Sequence, residues 1–355
     1  MASGPFRGSQ LATRSLQLDM QLLINIHHRF ELWVPPSWFV DRLRHEFPQV
    51  EVMQARDPEE AERRLPDAEV LVAWSMKPEQ FARARKLRWI HVSAAAVHAL
   101  LIPEIVASQI VITNASSVHG PVVAEHAVAL MMALARRLPS LGRYQAQRIW
   151  AQELLWRERP RPRELRGAVL GLVGVGAIGA EVARLALACN MQVRTVRRHP
   201  ERGTNFLPAG VPEGCDIEVT GPSGLDEVLA QADFVVLAAP VTPDTRALID
   251  ATRLRQMKPD AYLINVGRGA LVDEMALAEA LREGRLGGAA LDVFEHEPLA
   301  PDSPLWDLPG VLITPHSAGL TELVWERHYQ LFSENLRRFL HGRELLGVVD
   351  KQRGY

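Results

Sequence analysis

The sequence predicts an α/β protein in which a doubly wound parallel sheet is inserted into a smaller, discontinuous α/β domain. Strand and helix patterns alternate along the chain, and several strands are near-continuous apolar runs, such as ADFVVLAAP over residues 232–240. Such runs are typical of parallel strands that are covered on both faces. A glycine-rich turn lies in the middle of the chain, with strand-rich sequence on both sides. We therefore predict that residues 119–321 form the inserted domain and that residues 1–118 and 322–355 form the outer one.

The alternation of elements is clear in the first third of the chain. Strand patterns cover residues 16–26, 50–53, 69–74, 87–92 and 110–116, and helix patterns cover residues 36–47, 79–86 and 103–108. Because strands and helices take turns in this way, we expect a small parallel sheet. Residues 1–15 are predicted to be a short tail, and a helix over about residues 322–340 is predicted to close the outer domain.

A long helix and an arm are predicted to lead into the inserted domain. Pro121 fits the first turn of a helix, where its missing N–H group costs nothing. The apolar residues that share one face of this helix are Val123, Ala127, Leu130, Met131 and Leu134. Pro139 is expected to end or kink the helix, and the proline-bearing segment 143–166, with Trp150 and Trp156, is expected to form an arm or linker.

The glycine-rich turn lies between an apolar strand over residues 168–173 and a small-residue helix, with a second strand over residues 191–196. Gly174 permits a tight turn, Gly176 lets the backbone approach a pyrophosphate, and Gly179 lets the helix approach the strand. In this setting the pattern predicts a Rossmann dinucleotide site, because the helix also points its N-terminus at the phosphates. We expect contacts with the cofactor at Gly174, Gly176, Ala177, Ile178 and Gly179.

The residues after the second strand indicate which dinucleotide binds. An NAD site carries Asp or Glu about 20 residues after the first glycine to bind the ribose 2′-hydroxyl, whereas an Arg accommodates a 2′-phosphate. This chain has Arg197 and Arg198 there and no acid before Glu201. Since guanidinium groups bind phosphate in a forked geometry, NADP is the predicted cofactor. NAD remains possible if the two arginines form only a solvated basic turn.

Composition narrows the class of protein further. The 355-residue chain has 47% hydrophobic and 23% charged residues and a formal net charge of −2, which argues against a nucleic-acid surface. Its two cysteines, Cys189 and Cys215, suit a reducing cytoplasm and lack the spacing of metal ligands. No run approaches the roughly 18 apolar residues of a membrane span. We therefore expect a cytoplasmic protein without metal, nucleic-acid or membrane partners.

Three polar side chains follow three later strands of the inserted domain. Arg268 follows AYLINVG, Glu297 follows GGAALDVF and His316 follows VLIT. The carboxyl ends of parallel strands share one edge of a sheet, where such folds bind ligands, so these side chains are expected to converge. Carbonyl reduction needs an anchor, a proton donor and a group that holds the donor. Each residue alone is more often structural, so the prediction depends on the set.

The segments that carry these residues resemble a known family. INVGRGALVDE, GAALDVFEHEPL and TPHSAGLT are similar to three signature segments of the D-isomer-specific 2-hydroxyacid dehydrogenases. The resemblance runs from about residue 87 to the C-terminus, and the paired arginines make it nearest to the glyoxylate and hydroxypyruvate reductase branch. It implies a Rossmann domain inserted into a flavodoxin-like substrate domain. It also implies a homodimer formed through the helix from Pro121 and the arm after it.

The resemblance implies a role for each candidate residue. Arg268 would bind the carboxylate and carbonyl of a 2-oxo acid, His316 would protonate the carbonyl oxygen as hydride arrives, and Glu297 would hold the imidazole. Glu297 is the expected partner rather than Glu295, because it precedes the proline. Asp292 would face the nicotinamide carboxamide. Further contacts with the cofactor are expected at Pro240, Thr245, Val266 and Gly267.

One loop departs from the family pattern. Family members commonly have Gly-Val-Asp after the strand that reads LRWIHV here, and backbone N–H groups of that loop hold the substrate carboxylate. This chain has Ala94, Ala95 and Ala96 instead, with His98 near the place of the aspartate. We expect these alanines to supply the backbone contacts to the substrate if their backbone can adopt the required conformation.

The leading hypothesis is an NAD(P)-dependent enzyme that reduces small 2-oxo acids, such as glyoxylate or hydroxypyruvate, to D-2-hydroxy acids. Two alternatives stay open at this point. One is phosphite oxidation, which similar Arg, Glu and His residues serve on the same scaffold. The other is a non-catalytic, nucleotide-sensing binding module like the family's transcriptional co-repressors.

Overall fold

The computed structural model describes residues 20–207 and 215–354, which form two compact units. The first, called the outer unit below, contains the described residues up to Ser116 and the chain from Trp325 onward. The second, the inserted unit, runs from Ser117 to Val324. The boundaries between the two domains predicted from the sequence lie between residues 118 and 119 and between residues 321 and 322. The predicted tail over residues 1–15 and the beginning of the predicted first strand lie outside the described residues.

The outer unit is built on five parallel strands, β1 Met20–Asn25, β2 Val50–Gln54, β3 Val70–Ala73, β4 Trp89–Val92 and β5 Val111–Asn114. The helices between them are α1 Ser37–Glu46, α2 Pro58–Arg64, α3 Pro78–Arg83 and α4 Pro103–Ala107. The strand order is β2-β1-β3-β4-β5, which is flavodoxin-like. Leu22 of β1 pairs with Val52 on one side and Val70 on the other, and it is fully buried.

The inserted unit begins with three helices, α5 Gly120–Ala135, α6 Leu138–Ala146 and α7 Gln152–Arg157. Its seven strands are β6 Val169–Val173, β7 Gln192–Val196, β8 Ile217–Thr220, β9 Phe234–Leu237, β10 Tyr262–Asn265, β11 Gly288–Leu291 and β12 Val311–Ile313. The other helices of the unit are α8 Ala177–Ala188, α9 Leu225–Gln231, α10 Ala251–Gln256 and α11 Glu274–Arg282. The parallel strands lie in the order β12-β11-β10-β9-β6-β7-β8. This is the Rossmann order with one added strand, and the order reverses between β6 and β9.

Apolar side chains cover the seven-stranded sheet on both faces. Strands β9, β10 and β11 are buried along their whole length, which is why their sequences are continuous apolar runs without alternation. One face packs against α5 and α8 through residues such as Met131 and Val182. The other face packs against α9 and α11 through residues such as Leu229 and Leu277. The two helical layers leave the carboxyl ends of the strands as the edge available for ligands.

The chain ends in the outer unit with α12 Val324–Leu340, close to the predicted closing helix. Phe332 and Leu336 of this helix are buried, and the Phe332 ring stacks on Trp89 of β4 with centroids 5.3 Å apart. None of the helices in the described ranges has both the length and the apolar character needed to cross a membrane.

Two local predictions were wrong. Pro139 neither kinks nor ends α5, because α5 ends at Ala135 and Arg137 adopts a left-handed conformation with φ 59°. Pro139 instead lies in the first turn of α6, where its missing N–H group is not needed. The polar stretch over residues 200–224, for which no strand was predicted, contains the edge strand β8, and residues 208–214 of it lie outside the described residues.

Candidate active site

The glycine turn joins β6 to α8 at the point where the strand order reverses. Gly174 has φ 93°, and a Cβ atom on it would lie 2.8 Å from the backbone of Ala239. A Cβ atom on Gly179 would overlap the carbonyl oxygen of Gly174, so α8 approaches the strand as closely as the pattern predicts. Each of these two positions therefore requires a glycine.

Gly176 is different, because no atom of the described residues, apart from its chain neighbours, lies within 4 Å of the place where its Cβ atom would be. It is the residue before α8, and no side chain of the described residues caps the first turn of that helix. The first backbone N–H groups of α8, at Ala177 and Ile178, lie next to this open position, at the positive end of the helix dipole. This cradle fits the pyrophosphate of a dinucleotide.

The two arginines after β7 have different surroundings. Arg197 donates from Nη1 to the Gly203 carbonyl at 2.9 Å and to Oδ1 of Asn205 at 3.0 Å, and its guanidinium lies 5.4 Å from the Phe206 ring centroid. It therefore organises the loop that follows the strand. Arg198 is exposed. Both arginines directly follow the strand next to β6, which is where the predicted 2′-phosphate site would be.

Glu297 and His316 are in direct contact. Oε2 of Glu297 lies 2.6 Å from Nδ1 of His316, and Oε1 accepts a hydrogen bond of 3.0 Å from the backbone N–H of Phe294. The carboxylate is therefore held by its own loop while it holds the imidazole. Glu295 points elsewhere and pairs with Arg246 at 3.3 Å, so the carboxylate in contact with His316 is that of Glu297.

Arg268 lies close enough to Glu297 for their charges to interact, and part of its side chain is exposed to solvent. The protein atoms around the Arg268 guanidinium lower its pKa by desolvation, and the Glu297 carboxylate acts in the opposite direction. An arginine stays charged in either case. Its Nη1 donates to the Gly267 carbonyl at 2.7 Å, and the side-chain amide of Asn265 donates to the carbonyl of Arg268 at 2.9 Å.

The backbone of His316 is held in a strained conformation. Its φ is 50°, in the left-handed region that residues with a side chain rarely adopt. The His316 N–H donates to the Asp292 carbonyl at 2.8 Å and to the Thr314 carbonyl at 3.0 Å. The loop after β12 is therefore fixed to the end of β11, and this conformation directs the imidazole towards Glu297.

Asp292 is almost completely buried, with 1% of its surface exposed. Its Oδ1 accepts hydrogen bonds from the Thr314 hydroxyl at 2.6 Å and from the Ser317 N–H at 2.9 Å, and the Ala318 N–H donates to both carboxylate oxygens at 3.2 Å. Nε2 of His126, on α5, lies 3.1 Å from the Thr314 hydroxyl oxygen and 3.6 Å from Oδ1 of Asp292.

Sequence reasoning did not single out Asn265 or Thr314 as site residues, and it gave His126 no role in the site. Asn265 and Thr314 lie at strand ends beside predicted residues, and Asn265 is fully buried. The signal that could have found them is a polar side chain at the end of an apolar strand, which must find hydrogen-bond partners inside the protein. His126 lies on a helix far away in sequence, and no sequence signal connects it with Thr314.

Four other predicted cofactor contacts lie on two neighbouring strand ends. Thr245 closes the loop after β9, because its hydroxyl donates to the Pro240 carbonyl at 2.7 Å and accepts from the Thr242 N–H at 2.7 Å. Val266 is buried, and a Cβ atom on Gly267 would lie 3.0 Å from the Ala239 carbonyl oxygen. The strands β9 and β10 thus end in closely packed backbone.

The alanine loop belongs to the outer unit. The Ala95 carbonyl accepts a hydrogen bond of 2.9 Å from the side-chain amide of Asn114, and the Ala94 carbonyl accepts one of 3.0 Å from the Ala115 N–H. Neither Ala95 nor Ala96 has a positive φ. Alanines therefore fit this loop without backbone strain.

An open glycine cradle at the reversal point of a Rossmann sheet is the binding element of dinucleotide-dependent enzymes, and this chain has it. The sequence profile described as "D-isomer specific 2-hydroxyacid dehydrogenase, NAD binding domain" matches residues 128–318. The chain belongs to the D-isomer specific 2-hydroxyacid dehydrogenase family, and it is an NAD(P)-dependent enzyme of that family.

Individual relatives agree with this assignment. The glyoxylate reductase of Korarchaeum cryptofilum is 35% identical over 299 residues, which are 81% of this chain and 85% of that protein. The crystal structure of a D-isomer specific 2-hydroxyacid dehydrogenase family protein from Aeromonas salmonicida has a TM-score of 0.76 and 31% identity, covering 94% of this chain and 99% of that one. An NADPH-dependent glyoxylate/hydroxypyruvate reductase from Sinorhizobium meliloti, in complex with NADP and sulfate, has a TM-score of 0.75 and 28% identity, covering 95% and 100%.

Proposed function

We propose that this enzyme reduces a small 2-oxo acid, with glyoxylate and hydroxypyruvate as the first candidates, to the D-2-hydroxy acid, with NADPH as the preferred reductant. The observation that carries the proposal is the 2.6 Å contact between Nδ1 of His316 and Oε2 of Glu297. This pair lies on the strand edge that also holds the glycine cradle. The relatives named glyoxylate reductase and the NADP-bound structure support this choice of acid and cofactor.

In this proposal His316 is the acid and base. Glu297 accepts the Nδ1 hydrogen, so Nε2 is the nitrogen that gives a proton to the carbonyl oxygen and takes it back in the reverse direction. The carboxylate stabilises the imidazolium that must be present before reduction. Because Phe294 holds the other carboxylate oxygen, the pair is oriented before the substrate arrives.

Arg268 anchors the acid and polarises its carbonyl group. A guanidinium offers paired N–H donors that match a carboxylate, and the exposed side chain is accessible to a small molecule. The backbone of Arg268 is held by Asn265. In the outer unit, Ala94, Ala95 and Ala96 are proposed as substrate-binding residues that act through their backbone N–H groups.

When bound, the nicotinamide supplies the hydride. The cradle from Gly174 to Gly179 would hold the pyrophosphate. Arg198 is proposed to bind the 2′-phosphate, and Arg197 to bind it as well as to shape the loop around it. The residues Pro240, Thr245, Val266, Gly267 and Asp292 are proposed to contact the nicotinamide half of the cofactor.

Helix α5 and the arm after it, which contains α6 and α7, are proposed to form a homodimer contact. The apolar side chains exposed on this arm are Leu138, Leu141, Ile149, Trp150, Leu154 and Trp156. An exposed apolar group of this kind is typical of a surface that another protein covers. We propose the cytoplasm as the location of the enzyme, since both cysteines are free thiols.

The test is a spectrophotometric screen of the purified enzyme with NADPH and NADH against a panel of 2-oxo acids, with phosphite and oxidised cofactor in a separate arm. We expect oxidation of NADPH with glyoxylate or hydroxypyruvate. A lack of activity with every 2-oxo acid contradicts the proposal. Reduction of the cofactor by phosphite in that case identifies phosphite oxidation, the first alternative.

A further inference from the structure

A chain of polar contacts connects helix α5 with the loop that carries His316. The Thr314 hydroxyl lies 2.6 Å from Oδ1 of Asp292 and 3.1 Å from Nε2 of His126. A carboxylate can only accept, so the hydroxyl donates to Asp292 and uses a lone pair to accept from His126. Nε2 of His126 therefore carries the hydrogen, and the direction of every bond in the chain is fixed.

Asp292 holds the His316 loop on both sides of the histidine. Its backbone carbonyl accepts from the His316 N–H, and its carboxylate accepts from the N–H groups of Ser317 and Ala318. The left-handed conformation of His316 is unfavourable by itself, and such conformations persist where the surroundings determine them. Asp292 provides these surroundings, and its carboxylate keeps its orientation only while its own partners hold it.

Among the residues of this hydrogen-bond series, His126 is the one that lies on a helix, α5. Its side chain is 24% exposed and the side chain of Asp292 is 2% exposed, so the contact with Thr314 is sheltered from water. Hydrogen bonds in such sheltered networks support one another, and loss of one partner leaves the others under-satisfied. Helix α5 packs on the sheet through Val123 and Ala127. It therefore holds His126, the first residue of this hydrogen-bond series, in a fixed position.

We propose that His126 is a positioning residue for His316: through Thr314 and Asp292 it fixes the loop that presents the imidazole to Glu297 and the substrate. The part that concerns catalysis rests on the proposed function. The part that concerns the loop does not, since it is a property of the protein without substrate or cofactor. The two parts can therefore be tested separately.

The first test measures the loop itself by amide hydrogen exchange of the full-length protein. His126→Phe keeps the bulk of the ring and removes the donor, and His126→Gln restores an N–H donor. We expect His126→Phe to accelerate exchange of the Ser317 and Ala318 amides about tenfold, a change typical of one lost hydrogen bond. His126→Gln is expected to retain most of the protection. The amides of β10 report the fold of the unit and are expected to be unchanged in both variants.

Glu125→Gln is the matched control, because Glu125 is the exposed neighbour on the same turn of α5. It is expected to leave exchange of the loop unchanged. Unchanged exchange in His126→Phe, or equal acceleration in all three variants, would overturn the proposal. These outcomes are independent of any activity.

The second test uses turnover and a double-mutant cycle with Thr314→Val. His126→Phe is expected to lower kcat about tenfold while the KM of the 2-oxo acid stays within about twofold, because the proton donor is displaced but Arg268 is not. In the Thr314→Val background the same change is expected to have no further effect on kcat, since the two residues act in one chain. If the two substitutions lower kcat by factors that multiply in the double variant, His126 does not act through Thr314. An inactive wild type would reject the proposed function, and hydrogen exchange alone would then decide whether His126 positions the loop.

Discussion

The backbones of Gly269 and Phe294 are in direct contact, so closely that a Cβ atom on Gly269 would overlap the carbonyl carbon of Phe294. This contact joins the loop after β10, which carries Arg268, to the loop after β11, which carries Glu297. The spacing between Arg268 and Glu297 therefore depends on the absence of a side chain at residue 269.

Gly269→Ala is expected to displace Arg268 and to lower kcat/KM for the 2-oxo acid about 10²-fold, the usual cost of a misplacement of roughly 1 Å at a reacting centre. Steady-state kinetics of the purified variant measure this. Gly142→Ala is the control, because Gly142 lies in α6 with no protein atom near its Cβ position, and it is expected to retain activity. Equal activity in both variants would mean that Arg268 does not depend on this contact.

His316→Ala is expected to lower kcat about 10²- to 10⁴-fold, the contribution of a positioned proton donor, while NADPH binding stays near normal. Glu297→Gln is expected to have a smaller effect, because the amide can still contact Nδ1 but no longer stabilises the imidazolium. Kinetics over a range of pH and fluorescence titration with NADPH separate these effects. A His316→Ala variant with normal turnover would remove the histidine from the mechanism.

Arg198→Ala is expected to raise the KM of NADPH about tenfold or more and to leave the KM of NADH unchanged, since a charged hydrogen bond is worth about 1.5–3 kcal/mol. The double change Arg197→Asp with Arg198→Ala is expected to shift preference towards NADH. Arg184→Ala, on α8 and paired with Glu181, is the control for loss of a positive charge. An unchanged ratio of the two cofactors would mean that these arginines do not meet the 2′-phosphate.

The stability of the outer unit is expected to fall at acidic pH because of His91. This side chain is buried in β4, its Nδ1 lies 2.9 Å from the Thr113 hydroxyl, and desolvation lowers its pKa from 6.5 to about 3. Between pH 6.5 and pH 3 the unfolded chain therefore binds a proton at His91 that the folded chain does not bind. The free energy of unfolding decreases as the pH falls through this window. The loss from this one group between about pH 7.5 and pH 5 is about 2 kcal/mol.

Chemical denaturation of the wild type and of His91→Phe at several pH values measures this effect. The variant has lost the titrating group, so its free energy of unfolding should fall less steeply towards acidic pH. His98→Ala, at an exposed histidine of the same unit, should keep the slope of the wild type. Identical slopes in wild type and His91→Phe would contradict the prediction.

Much of the fold could be predicted because its signals are local. Gly174 is favoured by the positive φ of the turn, and Gly179 by the nearby carbonyl oxygen of Gly174. Continuous apolar runs identify β9 and β10 because both faces of these strands are covered. The strand β8 was missed for the opposite reason. It lies at the edge of the sheet and is only half-buried. Its four residues, IEVT, alternate between apolar and polar side chains, but so short an alternation is a weak signal within a polar segment.

The candidate site likewise contains residues that the sequence could predict and contacts that it could not. Arg268, Glu297 and His316 could be predicted because each follows a strand and parallel strands end at one edge. The contact of His126 with Thr314 joins residues 188 positions apart, and only the packing of α5 on the sheet brings them together. The left-handed conformation of His316 is likewise supported by hydrogen bonds to Asp292, which lies 24 residues earlier in the sequence.

The arm formed by α6 and α7 is expected to make the enzyme a dimer. Trp150 is 92% exposed, and the two helices of the arm are held together by Glu158, which accepts hydrogen bonds from Arg137, Ser140 and Tyr144. A large apolar side chain presented on a fixed support is what a stable interface needs at its centre. Sedimentation equilibrium should give twice the chain mass of 39.6 kDa, and Trp150→Ser should weaken association. Met275→Ser removes an exposed apolar side chain from α11 and should leave the dimer mass unchanged. A wild-type protein with the mass of one chain would reject the dimer.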